Sequence, residues 1–191
     1  MGINHKGHHK GHTTENLINK EFILKELNIL PGQTIMDVGC GNGYMSKEFS
    51  RLVQQSGKVF ALDSAKEAIE KLKRETMGTN IEPMEADITR KTPVADKSVD
   101  LIYLSTVFHH FSKEQIDNFQ KEVKRLLKPN GKLSIVEIQK ENIPFGPPLN
   151  MRISPEELKE IIALEPISLV QAGQYFYMQL FGNEHPATPS T

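Results

Sequence analysis

Asp37-Val38-Gly39-Cys40-Gly41-Asn42-Gly43 is the stretch that decides the fold of this chain. It ends a short apolar run, Thr34 to Val38, and opens a helical pattern carrying Met45, Phe49, Leu52 and Val53 that ends near Gly57. Glycines at these positions permit a tight turn with positive φ and let a ligand approach the backbone without meeting a Cβ. The helix start behind them offers unpaired amides. Many nucleotide sites use such a loop, so its details matter. A dinucleotide loop reads Gly-x-Gly-x-x-Gly, and here Tyr44 stands where the third glycine is required. Asp37 precedes the first glycine. Its carboxylate would repel a pyrophosphate and attract the ammonium group of a bound amino acid, which argues against an NAD-dependent oxidoreductase.

Outward from that loop the chain alternates strands and helices. Val59 to Leu62 reads as a second buried strand, and Ser64 with Glu67 has capping-box spacing for a helix from about Ala65 to Gly78. Ile81 to Glu85 contains Pro83, which loses a ladder donor and suits an edge. Val99 to Leu104 is a strong buried strand. Ser112 and Gln115 repeat the capping spacing for a helix that presents Ile116, Phe119, Val123, Leu126 and Leu127 on one face until Pro129-Asn130-Gly131 stops it. Lys132 to Ile138 is the fifth strand. Ser154-Pro155-Glu156-Glu157 then opens a helix with proline at its first position. Ile167 to Val170 and Tyr175 to Phe181 form a hairpin. Before the loop, Thr13 or Thr14 can cap a first helix carrying Leu17, Ile18, Phe22, Ile23, Leu24 and Leu27. The alternation predicts parallel β-α-β crossovers with helices on both sheet faces, and ligands at the carboxyl ends of the strands.

The 191 residues suffice for one domain with a full core and are too few for two. The expected division is a flexible His-rich segment at 1–12, a ligand-binding domain at 13–183 and a disordered tail at 184–191. Net charge is −1 with scattered Lys and Arg, so no global field draws the protein to nucleic acid or an anionic membrane. No apolar stretch approaches the ~20 residues that span a bilayer. Cys40 is the one cysteine, which excludes an internal disulfide and points to a reducing compartment. The polar start reads as no secretory signal, and a cytoplasmic location is the expectation.

Two further acids follow successive strands. Asp63, after the second, can accept both ribose hydroxyls, a device that NAD sites share. In Glu85-Ala86-Asp87-Ile88, Asp87 can accept from an adenine amine with Ile88 against the ring. A single loop carboxylate at a strand end is usually a turn residue; three in order after three strands are a pattern. On these residues, with Asp96-Lys97-Ser98-Val99-Asp100-Leu101-Ile102 and Leu126-Leu127-Lys128-Pro129-Asn130-Gly131-Lys132-Leu133, the chain resembles the class I methyltransferases that use S-adenosylmethionine (SAM). The similarity runs over about residues 14–181 and is greatest to the small-molecule enzymes related to quinone-biosynthesis C-methyltransferases. It implies a single-domain α/β fold, a Rossmann-like doubly wound seven-stranded sheet of order 3-2-1-4-5-7-6 with strand 7 antiparallel. It assigns Asp37, Gly39, Cys40, Gly41, Asn42 and Gly43 to the methionine part of SAM. Asp63 is assigned to the ribose, Asp87 and Ile88 to adenine, and Ser64 and Ser105 complete the cofactor set.

The implied reaction is an in-line displacement on a small-molecule O, N, S or C nucleophile, in which the protein positions the acceptor and excludes water. The other reading at this stage is a SAM- or metal-binding protein without transferase activity. Ser105 to Phe111 lies where the resemblance puts the acceptor pocket, so His109 and His110 are candidate bases for an acceptor that loses a proton. Leu104-Ser105-Thr106-Val107-Phe108 lacks the Asn/Asp-Pro-Pro-Tyr/Phe motif of DNA amino-methyltransferases. Arg152, beyond Gly146-Pro147-Pro148, is a candidate for an acidic substrate group or a surface ion pair. His5, His8, His9 and His12 form His-x-x-His-His-x-x-His, and imidazole ligands suit a divalent Zn, Ni or Cu ion; the other reading is a flexible tail. The acceptor's identity and the oligomeric state are not legible.

Overall fold

A computed structural model describes residues 17–183. Its frame is a seven-stranded sheet of order β3-β2-β1-β4-β5-β7-β6. The strands are β1 (Thr34–Val38), β2 (Lys58–Asp63), β3 (Ile81–Glu85), β4 (Val99–Ser105), β5 (Leu127–Ile138), β6 (Glu165–Gln171) and β7 (Phe176–Gly182). β1 to β5 pair in parallel, whereas β7 runs antiparallel to both β5 and β6. The expected fold, strand order and antiparallel strand 7 are therefore those observed. β3 lies at an edge, where the missing N–H of Pro83 faces no neighbouring strand.

Side chains alternate along each strand and build two cores. On one face, Ile35, Val59, Ala61, Leu101, Tyr103 and Met178 pack with helices α1 (Lys20–Leu27), α2 (Tyr44–Val53) and α3 (Lys66–Glu75). On the other, Met36, Leu62, Ile102, Leu104, Ile135 and Phe181 pack with α4 (Lys113–Leu126) and α5 (Pro155–Ile161). Because β1 leads leftward to β2 and β4 rightward to β5, the winding reverses between β1 and β4, and a crevice opens at their carboxyl ends.

Local signals explain most boundaries. Ser112 with Gln115 and Ser154 with Glu157 form complete capping boxes, and Pro155 occupies the first turn of α5. Elsewhere the boundaries shift from expectation, as three examples show. Leu17 and Ile18 are not helical: α1 begins at Lys20 behind the cap Asn19, whose side chain accepts from the Phe22 N–H, and Thr13 and Thr14 lie outside the described residues. Ser64 does not cap α3: the helix starts at Lys66 behind the cap position Ala65, whose N–H donates to the Asp63 carboxylate at 2.8 Å. Pro129-Asn130-Gly131 does not end α4, since Leu127 is already extended and paired with Val99. The turn residues sit instead in a register shift within β5.

Residues ahead of α1 are tied to the turn between β6 and β7. Ile18 bridges Gly173, and the Asn19 N–H donates to the Ala172 carbonyl at 2.7 Å. A Cβ on Gly173 would stand 2.3 Å from the Leu17 carbonyl oxygen, so the close approach requires glycine. Gly173→Ala is expected to lift this segment, lowering stability in urea unfolding by about 1–3 kcal/mol and accelerating amide exchange at Asn19. Unchanged exchange would show that the contact does not hold the segment.

Candidate active site

The crevice at the winding reversal holds a cavity of about 310 Å³ lined by the glycine loop, by Asp37, by Tyr103, Ser105 and Thr106 of the β4 end, and by Ile18, Lys20, Tyr44 and Met45. Asp37 is on its strand's α1–α3 face and almost wholly buried. Ser46 Oγ donates to Asp37 Oδ2 at 2.5 Å. Among the described residues no basic side chain lies within 4.0 Å of it, the ion-pair distance. Burial pushes the Asp37 carboxyl up to about 6, against the opposing hydrogen bond from Ser46 and with a smaller upward contribution from Asp63. A buried acid held this way attracts a cation.

The glycine loop is held by the carboxyl end of β2. Gly39 and Cys40 donate their N–H groups to the Leu62 carbonyl, and Asp63 Oδ2 accepts from the Gly41 N–H at 2.9 Å. With Oδ1 on Ala65, the Asp63 carboxylate binds both the loop and the start of α3, and each oxygen keeps lone-pair capacity for a further donor. Asn42 Oδ1 accepts from the Tyr44 N–H at 3.0 Å at the opening of α2. Two glycines have opposite reasons for being glycine. Gly43, at φ 76°, faces Leu72, whose Cδ1 would lie 2.4 Å from a Cβ. Gly41, at φ 52°, would place a Cβ within 4 Å of nothing in the protein. That open cradle and the unpaired buried acid beside it fit the amino-acid end of SAM. Cys40 is buried in the same wall, and its thiol is pushed far up by burial and the two acids, which makes it inert.

Thr106 follows β4 at φ 57°, an unusual conformation for a β-branched residue that costs about 1–3 kcal/mol. Its N–H donates to Val136 and its Oγ1 to the Ser105 carbonyl at 2.7 Å, which hold it there. The strain turns the chain sharply into the short 3-10 helix Phe108–His110.

The remaining predicted residues are distributed around this centre. Asp87 Oδ1 accepts from the N–H and hydroxyl of Thr89 at 2.9 and 2.7 Å, and Arg90 Nε lies 3.7 Å from Oδ2. Ile88 is buried with Val38 and Leu62. Ser64 is exposed. His109 and His110 do not line the cavity. His109 is buried, with Nδ1 2.7 Å from Oε2 of Glu137 on β5, and its backbone N–H donates to Oε1 at 3.3 Å. Burial and His109 depress the basicity of His110, whose ring centroid is 4.1 Å from that of His109. Arg152 corrects an expectation: it is buried, and its guanidinium donates to the carbonyls of Pro147, Gln139, Glu141, Ile143 and Phe145. Those five bonds use its five donors, so Arg152 organises the loop after β5 and presents no free donor to a substrate. His5, His8, His9 and His12 lie outside the described residues, among which no group of three or more metal-ligating side chains occurs. Among the described residues no helix is long and apolar enough to cross a membrane.

Sequence reasoning missed Ser46, Lys20, Tyr44 and Glu137. Glu137 had a signal, an acid inside the apolar strand Leu133-Ser134-Ile135-Val136-Glu137-Ile138. Ser46 had none beyond its place in the first turn after the glycines.

Residues 35–131 match the methyltransferase domain family. The chain is 28% identical over 174 residues to the ubiquinone/menaquinone biosynthesis C-methyltransferase UbiE of Cronobacter sakazakii, covering 87% of this chain and 66% of the relative. UbiE of Hahella chejuensis is 28% identical over 130 residues, 66% of this chain and 51% of the relative. The chain thus spans about half to two thirds of these curated relatives. The crystal structure of a SAM dependent methyltransferase from Aquifex aeolicus is similar with a TM-score of 0.80 at 29% identity, covering 90% of this chain and 93% of that one.

Because the folded-state value of Asp37 exceeds its unfolded value, ionising it opposes folding; the associated stability is full at low pH and is lost as pH rises through about 6. Asp37→Asn is therefore expected to stabilise the ligand-free protein by about 2 kcal/mol near pH 8, with the gain fading toward about pH 4. Urea unfolding across that range checks it; a pH-independent difference would remove the buried-charge account.

Proposed function

The chain belongs to the methyltransferase domain family, and we propose that it transfers the methyl group of SAM to a small-molecule acceptor. The observation that carries this reading is a buried carboxylate, Asp37, without a cationic partner among the described residues, opening onto the cavity under a glycine whose Cβ position is empty. In this reading Asp37 holds the ammonium group of the cofactor's amino-acid end, with Gly39, Cys40, Gly41, Asn42 and Gly43 forming the cradle. Asp63 takes the ribose hydroxyls on its remaining lone pairs. Asp87 offers Oδ2 to the adenine amine, and Ile88, in the core beside it, backs the ring. Ser105 closes the wall at the β4 end. The bound group supplies an electrophilic methyl on a sulfonium centre, so the protein's work is positioning and exclusion of water.

His109 has a more specific place here than His110. In this reading a hydrogen bond from Nδ1–H to Glu137 would orient the His109 ring and leave Nε2 as its basic nitrogen; because the ring does not line the cavity, it would serve as a base only for an acceptor that reaches beyond it. The UbiE relatives are named for C-methyl transfer in ubiquinone/menaquinone biosynthesis, and acceptors of that biosynthetic kind are one class within this reading. A cytoplasmic location suits it. A divalent ion at His5, His8, His9 and His12 would be a separate property of the amino-terminal segment, since none of the residues named above requires it.

Calorimetric titration with S-adenosylhomocysteine, the product form of the cofactor, is expected to give one-to-one binding; absence of binding would overturn the proposal. Gly41→Ala is expected to cost about 1–2 kcal/mol of stability for its positive φ and to weaken that binding about tenfold or more, because a methyl group enters the cradle. Retained affinity would place the ligand elsewhere.

A further inference from the structure

A second cavity, of about 360 Å³, lies between α4 and the segment that joins α5 to β6. It shares no lining residue with the crevice at the winding reversal. Its floor is apolar and buried, made by Phe119 of α4, Leu133 of β5 and Ile162 just after α5. That floor exists before any guest arrives. Phe119 is held by Phe108 and Phe111, with ring centroids 5.7 and 5.5 Å away. The joining segment is pinned to α4 by the Ala163 N–H, which donates to Gln120 Oε1 at 2.8 Å. Both walls are thus fixed with the cavity open between them, which lowers the ordering cost of binding.

The polar lining comes from one helix. Asp117, Gln120, Lys121 and Lys124 succeed one another along one side of α4 at spacings of three and four. Lys121 and Lys124 are exposed, and among the described residues neither has a carboxylate within 4.0 Å. Glu122 and Asp96, the acids that could have met them, both pair with Arg125. Gln120 uses its oxygen on Ala163 and keeps its amide N–H groups as donors. One end of the row therefore offers two ammonium groups and an amide, and the other end offers Asp117.

We propose that this cavity binds a small amphipathic monoacid, its apolar body on Phe119, Leu133 and Ile162 and its carboxylate at Lys121 and Lys124. The inference is independent of the SAM reading, since the two cavities have no residue in common. At the packing density of protein interiors the space takes roughly ten to a dozen non-hydrogen atoms. A neutral chain would fill the floor and leave both lysines unengaged. A cation would add a like charge beside them, and a diacid would bring its second carboxylate toward Asp117. Because the lysines are exposed, each contributes modestly and is screened by salt. The apolar body supplies most of the affinity, and the head group sets the orientation.

The probe is octanoate, titrated into the full chain at low ionic strength and followed by amide NMR and calorimetry. It is expected to bind one to one with a Kd between about ten micromolar and one millimolar and to shift the Ala163 amide signal. Lys121→Gln combined with Lys124→Gln is expected to weaken octanoate about fivefold and to leave 1-octanol within about twofold. Ala163→Phe, which sends a ring into the cavity from an exposed position, is expected to abolish binding of both. Should melting curves show that this variant does not fold, Ala163→Leu carries the same comparison. Wild-type protein that takes 1-octanol, octylammonium or octanedioate as tightly as octanoate overturns the monoacid assignment. Octanoate binding that survives the cavity-filling variant overturns the location. No binding at about ten millimolar overturns the site itself, and a sedimentation change on Ala163→Phe would then make the groove an interface between copies of the chain.

Discussion

A carboxylate at the end of a buried strand must be compensated, and much of this structure is arranged around Asp37. The residue stands where β1 hands over to the glycine loop, at the one place in the sheet where the chain winds away on both sides. Ser46 reaches back from α2 to hold one oxygen, which ties α2 to β1 through a polar contact inside an otherwise apolar layer. The contact is insufficient to restore an ordinary carboxyl affinity for protons. The ligand-free protein therefore carries an unmet electrostatic demand in its crevice, of the kind that a bound ammonium would relieve.

Other costs collect at the same end of the sheet. Thr106 is strained, the loop glycines take backbone conformations that favour glycine, and the His109–Glu137 pair is taken out of water. The two cores on either side of the sheet, rich in Ile, Leu, Val and Phe, offset these costs. Stability thus resides in the layers, and the chemistry-bearing groups sit where the strands stop. Such placement is common where activity needs a preorganised and locally unfavourable arrangement.

Arg152 shows how a charge can be diverted from chemistry to architecture. From the chain alone it stands among prolines in a loop beyond β5, free to meet a substrate. In the fold five carbonyls converge on it, so the loop after β5 is built around the guanidinium as a helix is built around its own hydrogen bonds. Glu137 is the converse case. An acid in an apolar strand reads as an anomaly, and its meaning appears when the turn after Thr106 delivers His109 to it.

The sheet order was implied by the family resemblance; the alternating crossovers, the capping boxes at Ser112 and Ser154 and the acids after three strands were legible in the amino-acid sequence itself. Each depends on interactions within a few residues, or on a period of two or about four along the chain. The sequence by itself therefore determined the class of fold and the presence of an acid at or just beyond the ends of β1, β2 and β3. What it could not show were partnerships between distant segments: Asp37 with Ser46, His109 with Glu137, Lys20 with Glu48 and Tyr44, Arg152 with its carbonyls. These arise when strands far apart in the chain come into register and bring their ends together. A side chain's propensity carries no record of which group will stand opposite it, so its role as ligand, base or brace was decided by tertiary structure alone.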